Sequence, residues 1–462
     1  MKQLTNFFKI SLVLSVFVIA SCSDDDNGGG TDMETTTIVD LAVATNDLSI
    51  LVDALTSANL AGTLEGDGPF TVFAPTNSAF EAFLEANDFA SLEDVPNDVL
   101  TQVLLNHVVS GENLSSSLST GYISSLSTAG AEGRNLSLYI NISTGVTING
   151  VADVVTEDIQ ADNGVVHIVD AVIGLPTIVD HAVSNSELSS LVTALTADNN
   201  TTFTTLLSST ITDFTVFAPV NAAFGVYTNP NSNDINDVLS YHVISGDAAF
   251  SDELMNMYVS TAATNADGDA LSQYINTDDG VSINASSNVA IADIVAVNGV
   301  VHAVDAVIDL PSVVTFAAAD PNFSTLVQAL TDLTPSVNFV EVLSAQDGNG
   351  NDPFTVFAPT NDAFAALSAI PAEEDLIPIL QHHVVAGANI RSSDLTADGT
   401  TTTPATLEGD TFTITLPGTD GNIADVTDGA GNDGIGIIAV DVQAKNGVIH
   451  VLNTVLIPDT TN

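Results

Sequence analysis

The sequence predicts an α+β protein made of three tandem copies of one domain, and three observations carry that prediction. The decapeptide "TVFAPTNSAF" at 71–80 returns as "TVFAPVNAAF" at 215–224 and as "TVFAPTNDAF" at 355–364. Its flanks return with it: "TIVDLAVATNDLSILVDAL" from Thr37 matches "TIVDHAVSNSELSSLVTAL" from Thr177 and "SVVTFAAADPNFSTLVQAL" from Ser312. Each copy then closes on "NGVVHIVDAVIGLP", "NGVVHAVDAVIDLP" or "NGVIHVLNTVLIP". The period of about 140 residues lies far above the roughly 20–50 of solenoid repeats, so each copy is a complete domain with its own core. Within a copy, segments of helical spacing alternate irregularly with many short strands, the pattern of an α+β fold built around a sandwich.

Residues 1–22, "MKQLTNFFKISLVLSVFVIASC", read as a signal segment. Lys2 and Lys9 precede an apolar run too short to span a membrane comfortably. "IAS" before Cys22 resembles the lipobox of a bacterial lipoprotein, with Cys22 as the lipidated first residue of the mature chain. It is the one cysteine in the sequence, so no intrachain disulfide supports the fold. Residues 23–36 form an acidic, glycine-rich tether. Its acidic run is similar to the export signal of surface-displayed lipoproteins, which implies an outer-membrane lipoprotein at the cell surface; a spacer facing the periplasm is the alternative.

The first domain is expected over 37–176, the second over 177–311 and the third over 312–462. Leu48, Leu51, Val52 and Leu55 recur at helical spacing. "FTVFAP" is a strand that Pro75 ends. Asn77 is placed to cap the following helix, whose inner face takes Phe80, Phe83 and Leu84. "DNGVVHIVDAVI" reads as the second strand of a hairpin, entered through a type I′ Asn-Gly turn. "GLP" at 174–176 and "DLP" at 309–311 leave almost no linker, and proline limits backbone freedom at each junction. A semi-rigid row of domains follows. The insertion "TDGNIADVTDGAGNDGIG" at 419–436 is expected to be a mobile acidic loop.

Asp and Glu total 58 against 5 Lys and Arg, a formal net charge of −53, yet charged residues are only 14% of the chain. The bases are missing rather than the acids abundant. Past the signal segment only Arg134, Arg391 and Lys445 remain, too few to neutralise a nucleic-acid backbone. Lys445 lies in no glycine-rich phosphate loop. Nucleic acid is excluded as a partner, and an anionic membrane is repelled except through a lipid anchor.

"TVFAPTNxAF", the "YHV" segment and the closing "NGVVHxVDxVI" resemble the motifs of the fasciclin (FAS1) domain family, three times over from residue 37 onward. The resemblance implies a wedge-shaped β-sandwich with helices packed against it, and a general role in adhesion. In animal members the Tyr-His segment and a nearby Asp-aliphatic motif are tied to integrin binding. Carried over residue by residue, these are Asp98 and His107, Asp237 with Tyr241 and His242, and Asp375 with His383. Only the second copy keeps the tyrosine; the first has Asn106 and the third His382.

The recurring histidines are His107, His242 and His383 at one position and His167, His302 and His450 at another, whereas His181 and His382 do not recur. Two histidines per copy fall short of the three or four ligands zinc needs. Asp170, a candidate orienter for His167, becomes Asn453 in the third copy, and no HExxH, CxxC or GxSxG spacing occurs. Structural, hydrogen-bonded histidines are expected, and no catalytic residue is named. No cofactor is expected beyond structural Ca²⁺. The loops at 346–353 and 427–434 suggest it, with Asp347, Asn349 and Asn351 at EF-hand-like spacing but Ala358 in place of the bidentate glutamate.

The expected function is therefore non-catalytic adhesion by a cell-surface lipoprotein, its partner an extracellular polysaccharide or a surface or matrix protein. The alternatives are an envelope scaffold for one protein partner and a surface glycan-acting enzyme. Because the acids repel one another nearly unopposed and salt shortens that repulsion, the melting temperature should climb from low salt to marine NaCl; a flat calorimetric series would refute the charge argument.

Overall fold

The computed structural model describes residues 36–197, 201–345, 353–396, 399–403 and 405–459. The signal segment with Cys22, the tether up to residue 35 and the calcium candidates Asp347, Asn349 and Asn351 lie outside the described residues. Among those described, no helix is long and apolar enough to cross a membrane.

In the first domain the helices are α1 (Ile38–Ala44), α2 (Ser49–Ser57), α3 (Ala61–Leu64), α4 (Asn77–Ala86) and α5 (Asn97–Asn106). The strands are β1 (Phe70–Pro75), β2 (Val108–Ser110), β3 (Gly121–Ser124), β4 (Ser137–Asn141), β5 (Thr147–Ile148), β6 (Ala152–Ala161) and β7 (Gly164–Val169). The second domain repeats the set as α6 (Ile178–Ser184), α7 (Ser189–Leu195), α8 (Thr202–Leu207), α9 (Asn221–Val226) and α10 (Ile235–Tyr241). Its strands are β8 (Phe214–Pro219), β9 (Val243–Ser245), β10 (Met257–Thr264), β11 (Ala270–Asn276), β12 (Ser282–Ile283), β13 (Ser287–Ala296) and β14 (Gly299–Val304). The third has α11 (Val313–Ala319), α12 (Ser324–Thr331), α13 (Phe339–Ser344), α14 (Asn361–Ala365) and α15 (Glu373–His382). Its strands are β15 (Phe354–Pro359), β16 (Val384–Ala386), β17 (Thr400–Thr402), β18 (Thr413–Thr415), β19 (Ala424–Thr427), β20 (Ile435–Ala444) and β21 (Gly447–Leu452).

All three copies share one strand order, β2-β1-β7-β6-β5-β4-β3 in the first. Every pairing is antiparallel except β1 with β7, which run parallel from Phe70 opposite Gly164 to Pro75 opposite Val169. β6 slips register twice, between Val154 and Ile159, and Asp158 there has φ +57°. The bulge bends the ribbon, as bulges do, so its two halves face each other. Phe73, Val109 and Val169 from one half share a core with Leu138, Ile140 and Ile148 from the other. On the opposite face, Val72, Ala74 and Val166 pack beneath Ile38, Leu51, Leu55 and Leu104 of the helices. The result is a sandwich with helices on one side, the α+β class the sequence predicts.

Three local expectations are corrected. Asn77 does not cap its own helix; Thr76 does, its Oγ1 accepting from Ala79 N at 3.2 Å. The Asn77 carboxamide reaches across to α2 instead, accepting from Ile50 N at 2.9 Å and donating to Asn46 O at 3.1 Å. Asn221 and Asn361 do the same in their copies. The Asn-Gly pair forms no type I′ turn, because Asp162 and Asn163 are the loop residues and neither has a positive φ. Gly164 is needed for close approach: a Cβ there would lie 2.0 Å from Phe70 O, and Gly299 and Gly447 face Phe214 and Phe354 at the same distance. The supposed loop at 419–436 contains β19, whose Ala424 and Val426 turn inward at strand period between β18 and β20.

The capping threonine is missing from one copy. Val220 holds the position of Thr76 and Thr360 with the same extended backbone but offers no side-chain cap. Val220→Thr, nearly isosteric, should stabilise the second domain by about 1 kcal/mol, read as a higher denaturant midpoint of that domain's transition.

Candidate functional site

Helix α5 carries Asp98 in its first turn and ends against His107, and α10 and α15 stand in the same place in their copies. His107 is buried; its Nδ1 bonds Val103 O at 2.7 Å, one turn back, and its Nε2 accepts from Ile173 N at 2.9 Å. His242 repeats this with Val238 O and Ile308 N, and His383 with Ile379 O and Leu456 N. Each imidazole is a neutral pin between the helix end and the segment leaving the last strand. Burial holds all three near a pKa of about 4, against an ordinary 6.5. Tyr241 is equally sealed, donating to Ser272 O at 2.5 Å and accepting from Asn284 Nδ2 at 2.8 Å. These four candidate ligand-binding residues therefore offer no atom to a surface partner, because their polar atoms are consumed inside the fold.

The carboxylates do not join them. Asp98 and Asp375 are exposed on the first turn of their helices, and Asp98 stands about 13 Å up the axis from His107. Asp237 is not even the counterpart of Asp98. Counted back from the shared histidine, it falls level with Gln102, because α10 is shorter than α5 and carries the same "NDVL" string one turn nearer its end.

The second histidine set is also structural. His167, His302 and His450 are buried and bond Asn113 O, Ala249 O and Ile390 O at 2.9, 2.9 and 2.8 Å. Their rings lie against Phe73, Phe217 and Phe357 at centroid distances of 5.6, 5.6 and 5.3 Å. Asp170 orients no base; it accepts from Asp153 N at 2.8 Å across the sheet, and Asn453 serves Gly436 N in the same way. That explains the exchange of carboxylate for amide. In the loop at 427–434, Asp428 is buried and spent on Asn432 and Ile457 N. A recess of about 70 Å³ in the second domain, floored by Leu191, Phe203, Leu207 and Val301, has no titratable group in its lining.

What the structure does assemble, unforeseen from the sequence, is a pair of like-built domain junctions. At the first, Val295 N donates to Ser137 Oγ at 2.9 Å; at the second, Gln443 N donates to Ser272 Oγ at 3.0 Å. A tyrosine pair sits beside each serine: Tyr122 with Tyr139, centroids 5.0 Å apart, and Tyr258 with Tyr274, 4.9 Å apart. Tyr122 meets the edge of His181 and accepts from Asn185 Nδ2, while Tyr258 meets Phe316 and donates to Asp320 Oδ2 at 3.0 Å. Burial pushes both phenols up, with the Asp320 carboxylate adding to the effect on Tyr258. Four of the chain's six tyrosines stand here, and the third domain has none. Its corresponding strands read Thr-Thr-Thr and Thr-Ile-Thr.

All three described cations span these junctions. Arg134 is bidentate to Asp252 at 2.9 and 3.1 Å, reaches Glu253 at 2.8 Å and lies 4.1 Å over the Phe250 ring. Arg391 bonds Asp269 at 3.0 Å while held by Asp394 of its own domain. Lys445 is 3.4 Å from Asp237. Pro176 O and Pro311 O accept from Val297 N and Lys445 N, which ties each linker into the domain that follows it. The rarity of Lys and Arg was the available signal; which acids they seek was not readable.

This geometry defines a class: tandem α+β repeats whose recurring polar residues hold each fold and whose scarce cations hold domain to domain. The chain belongs to the fasciclin domain family, whose model matches residues 46–176, 186–311 and 321–458. It is 28% identical over 418 residues to the transforming growth factor-beta-induced protein ig-h3 of Sus scrofa, covering 88% of this chain and 55% of that protein. Human periostin is 26% identical over 445 residues, covering 92% of this chain and 48% of periostin. The cell surface glycolipoprotein MPB83 of Mycobacterium bovis is 33% identical over 153 residues, 32% of this chain and 60% of its own. Among solved structures, a FAS1 domain pair from the insect cell adhesion molecule fasciclin I is similar at 18% identity and a TM-score of 0.36. It covers 61% of this chain and 97% of that one.

His181, buried at the first junction, bonds Val295 O through Nε2 and leaves Nδ1 without a hydrogen-bond partner; burial lowers it to about 4 as well. A histidine whose folded pKa is depressed binds fewer protons folded than unfolded, so its stabilisation is complete above 6.5 and drains away as pH falls toward 4. Denaturant midpoints should fall steadily across that window. His181→Phe, which installs the residue found at Phe316, should make the decline shallower; an unchanged slope would show that His181 is not part of it.

Proposed function

We propose that the protein is a lipid-anchored adhesion module displayed at the cell surface. Three fasciclin domains, clasped into a row, present their acidic exteriors to a polysaccharide or to a surface or matrix protein. The clasped junctions carry the reading. In a chain nearly devoid of cations, Arg134, Arg391 and Lys445 are all committed to holding one domain against the next. Domains fixed in relative position engage a repetitive partner together, which multiplies weak contacts without a tight single one. Family membership supports adhesion, and the name of the MPB83 relative as a cell surface glycolipoprotein agrees with the anchor inferred from Cys22. The inward use of both histidine sets favours binding over catalysis.

Beads coated with the mature protein should retain native matrix or cells, and Arg134→Ala with Arg391→Ala should weaken retention while each domain still unfolds cooperatively. Undiminished retention by the double variant would remove the role of fixed domains, and saturable one-to-one capture of a single envelope protein would favour the scaffold. Protease treatment of intact cells should digest the protein; full protection would place it on the periplasmic side.

A further inference from the structure

We propose that the third domain holds a divalent transition-metal ion of the zinc type between His382, Glu408 and Asp410. One ligand atom from each of the three side chains lies within 4.8 Å of the others. The three copies show why the place is unusual. Asn106, Tyr241 and His382 each close their helix just before the pinned histidine. Asn106 is satisfied by Ser125 Oγ and Gly174 O, both at 2.8 Å. Tyr241 is satisfied at 2.5 and 2.8 Å. His382 is fully buried against Phe412, yet its two nitrogens find only Glu408 Oε2 and Gly429 N, each at 3.4 Å. Those lengths are at the outer edge of hydrogen bonding, where the other two copies have short bonds.

The carboxylates come from the segment after β17. Asp410 is oriented by Asp459 N on Oδ2 at 2.9 Å and Thr411 N on Oδ1 at 2.8 Å, and Glu408 Oε2 accepts from Asp410 N at 3.2 Å. Gly429 closes the place from above: a Cβ there would stand 2.3 Å from Asp410 Oδ2 and 3.1 Å from His382 Cε1. The charged and titratable neighbours include Asp428 on that covering loop and His383 on the helix, both with hydrogen bonds of their own, and Asp459, whose backbone meets Asp410. None of the three described cations serves this cluster, because all lie at the junctions. Two half-buried carboxylates and an imidazole thus converge with no described lysine or arginine beside them. An imidazole nitrogen with carboxylate oxygens suits zinc rather than calcium or magnesium, which take oxygen ligands alone. Tetrahedral zinc spaces its ligand atoms about 3.3 Å apart, close to the present 3.4 Å between His382 and Glu408. Rotation of the partly exposed Glu408 and of Asp410 supplies the remaining contraction, and a solvent molecule completes the fourth position.

The test is zinc titration of the chelator-treated full chain by calorimetry, in excess calcium to occupy the exposed acids, with a parallel thermal melt. One zinc per chain is expected, with a raised melting temperature for the third domain. His382→Asn, which installs the residue of the first domain, and Glu408→Gln on a partly exposed segment should each weaken zinc by at least about tenfold while leaving the zinc-free circular dichroism unchanged. Zinc bound equally by parent and variants would overturn the proposal in favour of scattered surface acids. No zinc uptake by a folded parent would overturn it outright. Failure here leaves the adhesion reading untouched, since that reading rests on the junctions.

Discussion

Each domain depends on the parallel pairing of its first and last strands, and that pairing depends on two residues. Gly164 lets the last strand begin against the Phe70 carbonyl where any Cβ would collide. Asn163, one residue earlier, uses its whole carboxamide: Oδ1 accepts from Ile38 N at the start of α1, and Nδ2 donates to Leu64 O and Gly66 O at the end of α3. Asn298 and Asn446 repeat the arrangement. One buried side chain thereby satisfies backbone groups from two helix termini that would otherwise be orphaned. The parallel register it protects places Phe73 beside His167, and so sets the centre of the sandwich.

The same economy of polar groups governs the relation between domains. Thr71 Oγ1 donates to Gly111 O and accepts from Asn113 N, which aims the Asn113 carbonyl at His167. Asp158, on the β6 bulge, accepts from Ser115 N and Oγ and fixes the following residues. In the second and third domains that same stretch carries Phe250 and Arg391, which enter the junctions. The histidines, threonine and bulge aspartate therefore act outward through the loops they position. The two junctions share their serine and tyrosine pair but exchange the side that supplies arginine, Arg134 from the preceding domain in one and Arg391 from the following domain in the other. A charge pair between two surfaces is indifferent to which surface carries which sign, so the exchange preserves the clasp.

Much of this was legible in one dimension because each repeat supplies its own comparison. The repeated decapeptide, the paired histidines and the apolar spacing of the helices reported buried positions, since a position that tolerates little in three copies is constrained by packing. Where structure and sequence pattern part, the residue type is as expected and its partner is not. Asn77 has the chemistry to cap its own helix and instead serves α2, and the Asn-Gly pair has the composition of a tight turn and instead makes a tertiary tie. The string "NDVL" is identical in two copies yet occupies two places, a helical turn apart. A hydrogen-bonding side chain declares its capacity locally, but several backbone groups can meet it, and only the closed fold selects among them.

The amino-acid sequence by itself determined the number of domains, their class, the inward histidines and the scarcity of positive charge, because periodicity and composition are local properties that packing cannot reverse. Tertiary structure alone decided the partners: that Tyr122 meets His181 and Tyr258 meets Phe316 across the junctions, that Arg134, Arg391 and Lys445 find acids on neighbouring domains, and that His382 meets Glu408 and Asp410. The physical reason is range. These contacts join residues far apart along the chain, and their geometry exists only once two sandwiches, or a helix end and a distant loop, have been brought within bonding distance.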